Sequence, residues 1–182
     1  MKLKHRMNGC AIALAASLSV PASGPATAAP ASADPYQPLA FLIGHCWKGS
    51  FLGDTRMTDE HCFSWMYGGK FVRDEHVVHD AQGGPDKLGG ETIYVWNSAA
   101  RELEYLYVES SGAFLRGTVT ADGESLVFPA AAHVDNGKST NVRSRWQRAG
   151  DDAYDVITEF QVEERWVRAF SLHMQRVRNA PT

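Results

Sequence analysis

The triplet Asp-Glu-His occurs twice in this chain, ending at His61 and at His76. Imidazole and carboxylate groups bind divalent metals and exchange protons near neutral pH, so the triplets are candidates for either chemistry. The spacing alone requires neither, because the chain has no HExxH sequence and no histidine-rich tract. The chemistry open to these residues depends on the strand face that each side chain occupies.

In a β-strand, successive side chains point to opposite faces. One face of the first segment carries Asp59, His61, Phe63 and Trp65. Its two aromatic rings predict that this face points inward. The next segment carries Val72, Asp74, His76 and Val78 on one face, and parity does not decide whether that face is inward.

Two interpretations of the triplets stay open. If both faces point inward, His61 and His76 line a pocket from neighbouring strands, and an aspartate beside them could complete a metal site or an acid–base pair. Burial would then favour the neutral imidazoles. In the other interpretation the acids form solvated cross-strand pairs on the outer surface. Outer pairs of this kind are expected for Glu60, Arg73 and Glu75.

Short alternating segments are the elements that must position these residues. Turn signals such as Gly68-Gly69, Asp122-Gly123 and Asn136-Gly137 separate them, and no long helix is predicted. The predicted strands cover residues 45–52, 58–66, 70–79, 91–96, 102–108, 113–119, 124–128, 140–148, 153–161 and 165–177. A closed barrel hides the edges of such strands, so we predict a single all-β antiparallel barrel of about 8–10 strands. A short helical turn within residues 38–43 would plug one end.

Aromatic residues occur in nearly every predicted strand, and most are expected to form the core. A barrel of this size can still hold one small ligand between aromatic walls and a few polar groups. The predicted ligand-binding residues are His61, His76, Glu91, Tyr105, Arg143 and Glu159.

The N-terminus predicts export. Lys2, Lys4 and Arg6 precede an apolar run at residues 11–20, and a tract of small residues follows, as in a cleaved signal peptide. The run is too short to span a bilayer. We place cleavage after Ala33, which leaves one barrel domain over residues 34–182 in a periplasmic or secreted protein. Losing three cations and no acid changes the formal charge from −3 to −6, so nucleic acid is not an expected partner.

Two cysteines, Cys46 and Cys62, remain after the leader, and an oxidising compartment favours a disulfide between them. Parity places Cys46 opposite the Trp47 face and Cys62 opposite the His61 face, so both thiols lie on the outside of a predicted hairpin. A zinc site of two cysteines and two histidines is the alternative, but the CxxC spacing is absent.

Several stretches resemble the lipocalin-like barrels of the calycin group, with exported bacterial lipocalin-like proteins nearest and nitrobindin-type haem barrels more distant. The resemblance covers most of residues 39–177. It is carried by PLAFLIGHCWKGSF, YGGKFVRD, GGETIYVWN, LEYLYVES and AFSLHMQRV. The lipocalin GxW motif corresponds here to Gly44-His45-Cys46-Trp47, which is one residue longer.

The resemblance implies two further expectations. Trp47 should stack beneath an arginine of the last strand, for which Arg176 is the match, and this contact should close the base of the barrel. Nitrobindin-type barrels also ligate haem through a late histidine, and His173 is the only histidine of the last predicted strand. Parity places His173 opposite the bulky Phe170, Leu172 and Met174, so it is predicted to point outward and haem is not assigned.

These patterns predict an exported barrel that binds a small apolar or aromatic molecule in its interior, with no assigned metal or cofactor. Catalytic motifs such as GxSxG and a glycine-rich phosphate loop are absent from the sequence, so an enzyme is the less favoured interpretation. The alternatives are an enzyme or a metal- or haem-dependent protein that uses inward histidines, and a structural protein with a filled barrel.

Overall fold

The computed structural model describes residues 34–177, and the predicted leader with its cleavage site lies outside them. A 3-10 turn at Gln37–Leu39 precedes ten antiparallel strands. These are β1 (Cys46–Phe51), β2 (Asp54–Met66), β3 (Phe71–Asp80), β4 (Leu88–Asn97), β5 (Glu102–Glu109), β6 (Phe114–Asp122), β7 (Ser125–Asp135), β8 (Lys138–Arg148), β9 (Ala153–Val162) and β10 (Arg165–Arg176). Each strand pairs with the next in the chain, and β10 pairs with β1 to close the barrel. The predicted all-β barrel with a short N-terminal turn is therefore confirmed.

Among residues 34–177 there is no helix long and apolar enough to cross a membrane.

The hairpin turns follow from residues that accept positive φ. Asn136 and Gly137, between β7 and β8, have φ values of 47° and 74°. Positive φ at both central positions is the geometry that lets a two-residue loop follow the natural twist of two paired strands. The Asn-Gly dipeptide thus sets the register of β7 and β8 next to their turn.

Strand β7 is longer than the sequence predicts. The predicted strand ends at residue 128, before Pro129, whereas β7 continues to Asp135. The pairing with β8 shifts register between Phe128 and Ala131, so Pro129 falls within a bulge where no ladder hydrogen bond is needed. The extension brings His133 into the sheet.

One end of the barrel is plugged by the chain that precedes β1, and we call it the closed end. Leu39 and Leu42 are fully buried there. The Tyr36 hydroxyl donates to the Lys70 carbonyl at 2.7 Å and accepts from the Trp96 amide at 3.0 Å. These bonds tie the plug to the β2–β3 turn and to β4.

Trp47 forms the centre of the closed end. Its ring is fully buried, and it packs edge-on against Tyr154 at a centroid distance of 5.1 Å. The Arg176 guanidinium lies 5.3 Å from the Trp47 ring centroid, as the resemblance implies. The predicted inward position of Trp65 is wrong, because it lies at the rim and is 45% exposed, with its ring against Tyr36.

The disulfide between Cys46 and Cys62 is present, which confirms that prediction. The two residues are direct cross-strand partners of β1 and β2, with a Cα–Cα distance of 4.1 Å. Closing a loop of this length stabilises a fold by roughly 3 kcal/mol on the chain-entropy model. The bridge therefore fastens the plug-bearing strand to β2.

Candidate functional site

Strands β2 and β3 bring four ionisable side chains together inside the barrel. Direct pairing places His61 opposite His76, and both aspartates of the triplets also point inward. The exposed fraction is 5% for Asp59, 1% for Asp74 and 7% for His76. We call these four residues the His–Asp cluster. The outer-surface interpretation is thus wrong for Asp59 and Asp74, whereas it holds for Glu60, which pairs with Lys48 outside.

Both ring nitrogens of His61 face carboxylates. Its Nδ1 lies 2.9 Å from Asp74 Oδ2, and its Nε2 lies 3.2 Å from Asp59 Oδ2. The ring also stacks on His76 with a centroid distance of 4.8 Å and an interplanar angle of 14°. His61 is therefore held in one orientation by a carboxylate at each ring nitrogen and by the stacked ring of His76.

His76 continues the same network towards β5. Its Nδ1 lies 3.1 Å from Asp59 Oδ1, and its Nε2 lies 2.8 Å from the Tyr107 hydroxyl. Each oxygen of Asp59 is thus shared with a different histidine. Asp59 is therefore the carboxylate that contacts both imidazole rings.

Opposing effects set the pKa of His61. Burial disfavours the charged ring, but the carboxylates of Asp74 and Asp59 outweigh this cost and raise the pKa of His61 to about 10. The expectation that burial keeps both rings neutral is therefore wrong for His61, because the sequence could not show how closely the carboxylates approach. Burial also opposes ionisation of Asp59, yet the two histidines lower its pKa well below the usual range.

A glycine on the neighbouring strand makes room for the His76 ring. Gly90 of β4 is the direct partner of His76. A Cβ atom at Gly90 would lie 2.3 Å from His76 Nε2 and 2.8 Å from the Tyr107 ring. The ring can cross over β4 to reach Tyr107 only because position 90 lacks a side chain.

Further polar groups lie beyond Tyr107 on the cavity wall. Burial, together with the nearby Glu109 carboxylate, holds the Tyr107 pKa far above its ordinary value. Glu109 Oε1 lies 3.0 Å from His133 Nε2. Polar side chains of β3, β5 and β7 therefore share one part of the cavity wall.

A cavity of about 430 Å³ occupies the barrel interior on the side of the His–Asp cluster away from the plug. We call this half of the barrel the cavity end. Most of the lining consists of aromatic and aliphatic side chains, including Phe51, Phe128, Trp146, Val156, Phe160 and Phe170. His61, Asp74 and His76 form part of the wall, so the cluster faces the cavity rather than lying behind it.

The structure separates the six predicted ligand-binding residues into two groups. His61, His76, Tyr105 and Arg143 line the cavity. Glu91 and Glu159 do not line it. The placement of the first four agrees with a role in binding, which stays a prediction.

The two glutamates that do not line the cavity lie in ion pairs. Glu91 pairs with Arg73, and Glu159 accepts from Arg143 Nε at 2.7 Å. Arg143 also lies 4.4 Å from the Trp166 ring centroid. His173 likewise points outward, as parity predicts, and pairs with Asp155 at 2.6 Å.

Tyr107, Glu109 and His133 are among the cavity residues with polar groups that were not predicted from the sequence to bind a ligand. Tyr107 and Glu109 alternate with Tyr105 on β5, so extending the parity argument along that strand would have found them. His133 had no such signal, because its strand was predicted to end before Pro129. The bulge in β7 is what places it on the cavity wall.

Two histidines and two aspartates at one wall of a mostly apolar cavity can hold a cation or orient a polar group of a ligand. Carboxylates that position imidazoles are common to metal sites and to acid–base sites. The aromatic and aliphatic side chains that make up most of the remaining wall favour an apolar or aromatic molecule.

Comparisons with known proteins support the fold. No protein-family model matches the chain, and no curated protein matches it. Among solved structures, the crystal structure of Rv2717c from M. tuberculosis is similar, with a TM-score of 0.57 and 15% sequence identity. The match covers 80% of this chain and 99% of that one. At this identity the likeness shows the barrel fold alone.

Proposed function

We propose that this protein is an exported barrel that binds one small apolar or aromatic molecule in its interior. The observation that carries the proposal is the cavity of about 430 Å³ with predominantly aromatic and aliphatic walls. Ligand pockets in proteins usually measure about 300–1,000 Å³ and have this kind of lining, with a few polar groups that set orientation. Here those groups are His76, Tyr107 and Tyr105.

Export is supported by the cross-strand disulfide together with the leader pattern of the sequence. Disulfides persist in oxidising compartments and are rare in the cytosol. The Cys46–Cys62 bridge lies on the outer face of the barrel, away from the cavity. It therefore serves the stability of the fold in the periplasm or outside the cell and takes no part in ligand binding.

The test uses protein purified from its own export compartment. Native mass spectrometry should find one retained small molecule per chain. The emptied protein should bind one equivalent of the apolar fluorophore 1-anilinonaphthalene-8-sulfonate, and binding should quench the emission of Trp146 in the cavity wall. A fluorophore that binds without saturation, or without affecting tryptophan emission, contradicts the proposal.

A matched pair of variants locates the binding. Val142 lines the cavity and is 7% exposed, whereas Val162 lies near the end of β9 and is 53% exposed. Val142→Phe should fill part of the cavity and weaken fluorophore binding more than about 10-fold, or about 1.4 kcal/mol, because the added ring occupies space that the fluorophore needs. Val162→Phe should leave binding unchanged. Equal affinities of the two variants would place the fluorophore outside the barrel.

A further inference from the structure

We propose that the His–Asp cluster is a binding site for a divalent transition-metal ion, with His61 Nε2, His76 Nδ1 and the Asp59 carboxylate as its protein ligands. The proposal is independent of the apolar ligand. The three donor atoms lie within 4.8 Å of one another and come from paired strands of the barrel wall. Two imidazoles and one carboxylate are a donor set for zinc and for ferrous iron.

The distances suit a tetrahedral ion. Zinc bonds of about 2.0–2.1 Å place neighbouring ligand atoms about 3.3 Å apart. Asp59 Oδ2 lies 3.2 Å from His61 Nε2, and Asp59 Oδ1 lies 3.1 Å from His76 Nδ1. Each imidazole nitrogen therefore already lies near the required distance from one oxygen of Asp59, without movement of the strands.

Each histidine also has the partner that metal-bound imidazoles normally have on the other nitrogen. A ligating histidine almost always donates its second N–H to a carboxylate or another acceptor, which fixes ring orientation and tautomer. His61 Nδ1 faces Asp74 Oδ2 at 2.9 Å, and His76 Nε2 faces the Tyr107 hydroxyl at 2.8 Å. The remaining nitrogen of each ring is the one that faces Asp59.

One carboxylate and two imidazole nitrogens thus face one another inside the barrel, so a divalent cation among them would contact all three groups at once. Binding an ion there displaces the proton from His61 Nε2, because a metal ligand must offer a free lone pair.

The surroundings leave room for a further ligand. His61 and His76 both line the cavity, so a water molecule or a polar group of a bound molecule can approach the ion from that side. Three protein ligands with an open position are typical of catalytic rather than structural zinc sites. Gly90 keeps the His76 ring in place and would be part of the site's construction.

The first experiment needs no variant. The disulfide-intact mature protein is freed of metal with a chelator, dialysed, and titrated with Co²⁺, whose visible absorption reports low-symmetry coordination, and then with Zn²⁺ in competition. One Co²⁺ per chain, displaced by Zn²⁺, is expected. X-ray absorption of the zinc-loaded protein should show nitrogen and oxygen ligands with two imidazoles. Absence of saturable binding overturns the proposal.

Variants then assign the ligands. His61→Gln and His76→Gln each remove a metal ligand and should weaken Zn²⁺ binding more than about 100-fold. Asp74→Asn and Tyr107→Phe alter the groups that orient these two ligands, and they should weaken binding about 10–100-fold. The matched control is His173→Gln, which removes an exposed His–Asp pair of similar geometry and should leave affinity unchanged. Circular dichroism checks the fold of each variant.

One competing site has to be separated from the cluster. Cys46, Glu60 and Cys62 also bring ligand atoms within 4.8 Å of one another, and they would bind metal if the disulfide were reduced. Sulfur ligands in the X-ray absorption spectrum, or loss of binding in Cys46→Ser/Cys62→Ser with retention in His61→Gln, would overturn the proposal. The cavity variant Val142→Phe should retain metal, which separates failure of this proposal from failure of apolar-ligand binding.

Discussion

The two ends of this barrel are built from the same ten strands but differ in how they are filled. At the closed end, Trp47, Tyr154 and Met174 are fully buried, and Phe41 of the plug packs against the rings of Trp47 and Tyr154. At the cavity end, inward positions such as Phe51 and Phe170 are only partly buried and line the cavity. Closing a sheet into a barrel therefore does not by itself decide whether the interior is filled.

The difference arises from which chain segment reaches each end. The residues before β1 supply Leu39 and Leu42, which fill the closed end and are both fully buried. No segment of residues 34–177 plays that part at the cavity end, where the wall residues face the cavity instead. The closed end is thus the more tightly packed half of the barrel. The His–Asp cluster lies at the wall of the cavity in the other half.

The largest effect should come from removing the centre of the closed end. Trp47→Ala should lower the free energy of unfolding by about 3–5 kcal/mol, because the cavity it leaves is enclosed on all sides. Phe51→Ala at the cavity end should cost less than half as much, since its ring is already partly exposed. Urea denaturation measures both. Equal losses would mean that the two ends are equally packed.

Loss of the disulfide should have the next largest effect. Cys46→Ala/Cys62→Ala should destabilise the protein by about 2–4 kcal/mol, because the bridge no longer restricts the unfolded chain. Fluorophore binding at the cavity end should be unchanged in the variant under conditions where it remains folded. Thiol titration of the native, unreduced protein should find no free thiol from this pair. Two reactive thiols would contradict the bridge.

A pair of adjacent glycines tests the construction of the cluster. Gly90→Ala should destabilise the protein by about 1–3 kcal/mol, since the added carbon would overlap His76 Nε2 and force its ring to move. Gly89→Ala is the matched control, because its added carbon would approach the His76 carbonyl oxygen only to 3.9 Å. The control should stay within about 0.5 kcal/mol of wild type in the same denaturation assay. A similar loss of unfolding free energy in both variants would show that the His76 ring does not depend on the missing side chain at position 90.

Much of the architecture could be predicted because it depends on local rules. Alternation placed Trp47 and Phe63 inside, and turn residues such as Asn136-Gly137 separated the strands. The alternation of side chains along β2 also predicted that His61 points inward. These inferences need only the period of a strand and the chemistry of turns.

The site could be predicted only in part, because its properties depend on distances between strands. Parity could not decide the inward face of β3, and it could not show that Asp59 is shared by two histidines. The nearby carboxylates raise the pKa of His61, whereas the sequence argument considered burial alone and expected a neutral ring. His133 was missed because a bulge around Pro129 carries β7 past an apparent strand end.

The smallest effect should come from Glu91, one of the two predicted binding residues that do not line the cavity. Glu91 pairs with Arg73 in a partly exposed ion pair, and such pairs contribute less than about 1 kcal/mol. Glu91→Gln should therefore change the free energy of unfolding by less than about 1 kcal/mol and leave fluorophore affinity unaltered. Tyr107→Phe is the comparison on the cavity wall, where the loss of one hydroxyl partner of His76 should alter metal affinity. If Glu91→Gln weakened fluorophore binding as strongly as Val142→Phe, the binding site would have to include the outer face of β4. The difference between the closed end and the cavity end would then not explain where the protein binds its ligand.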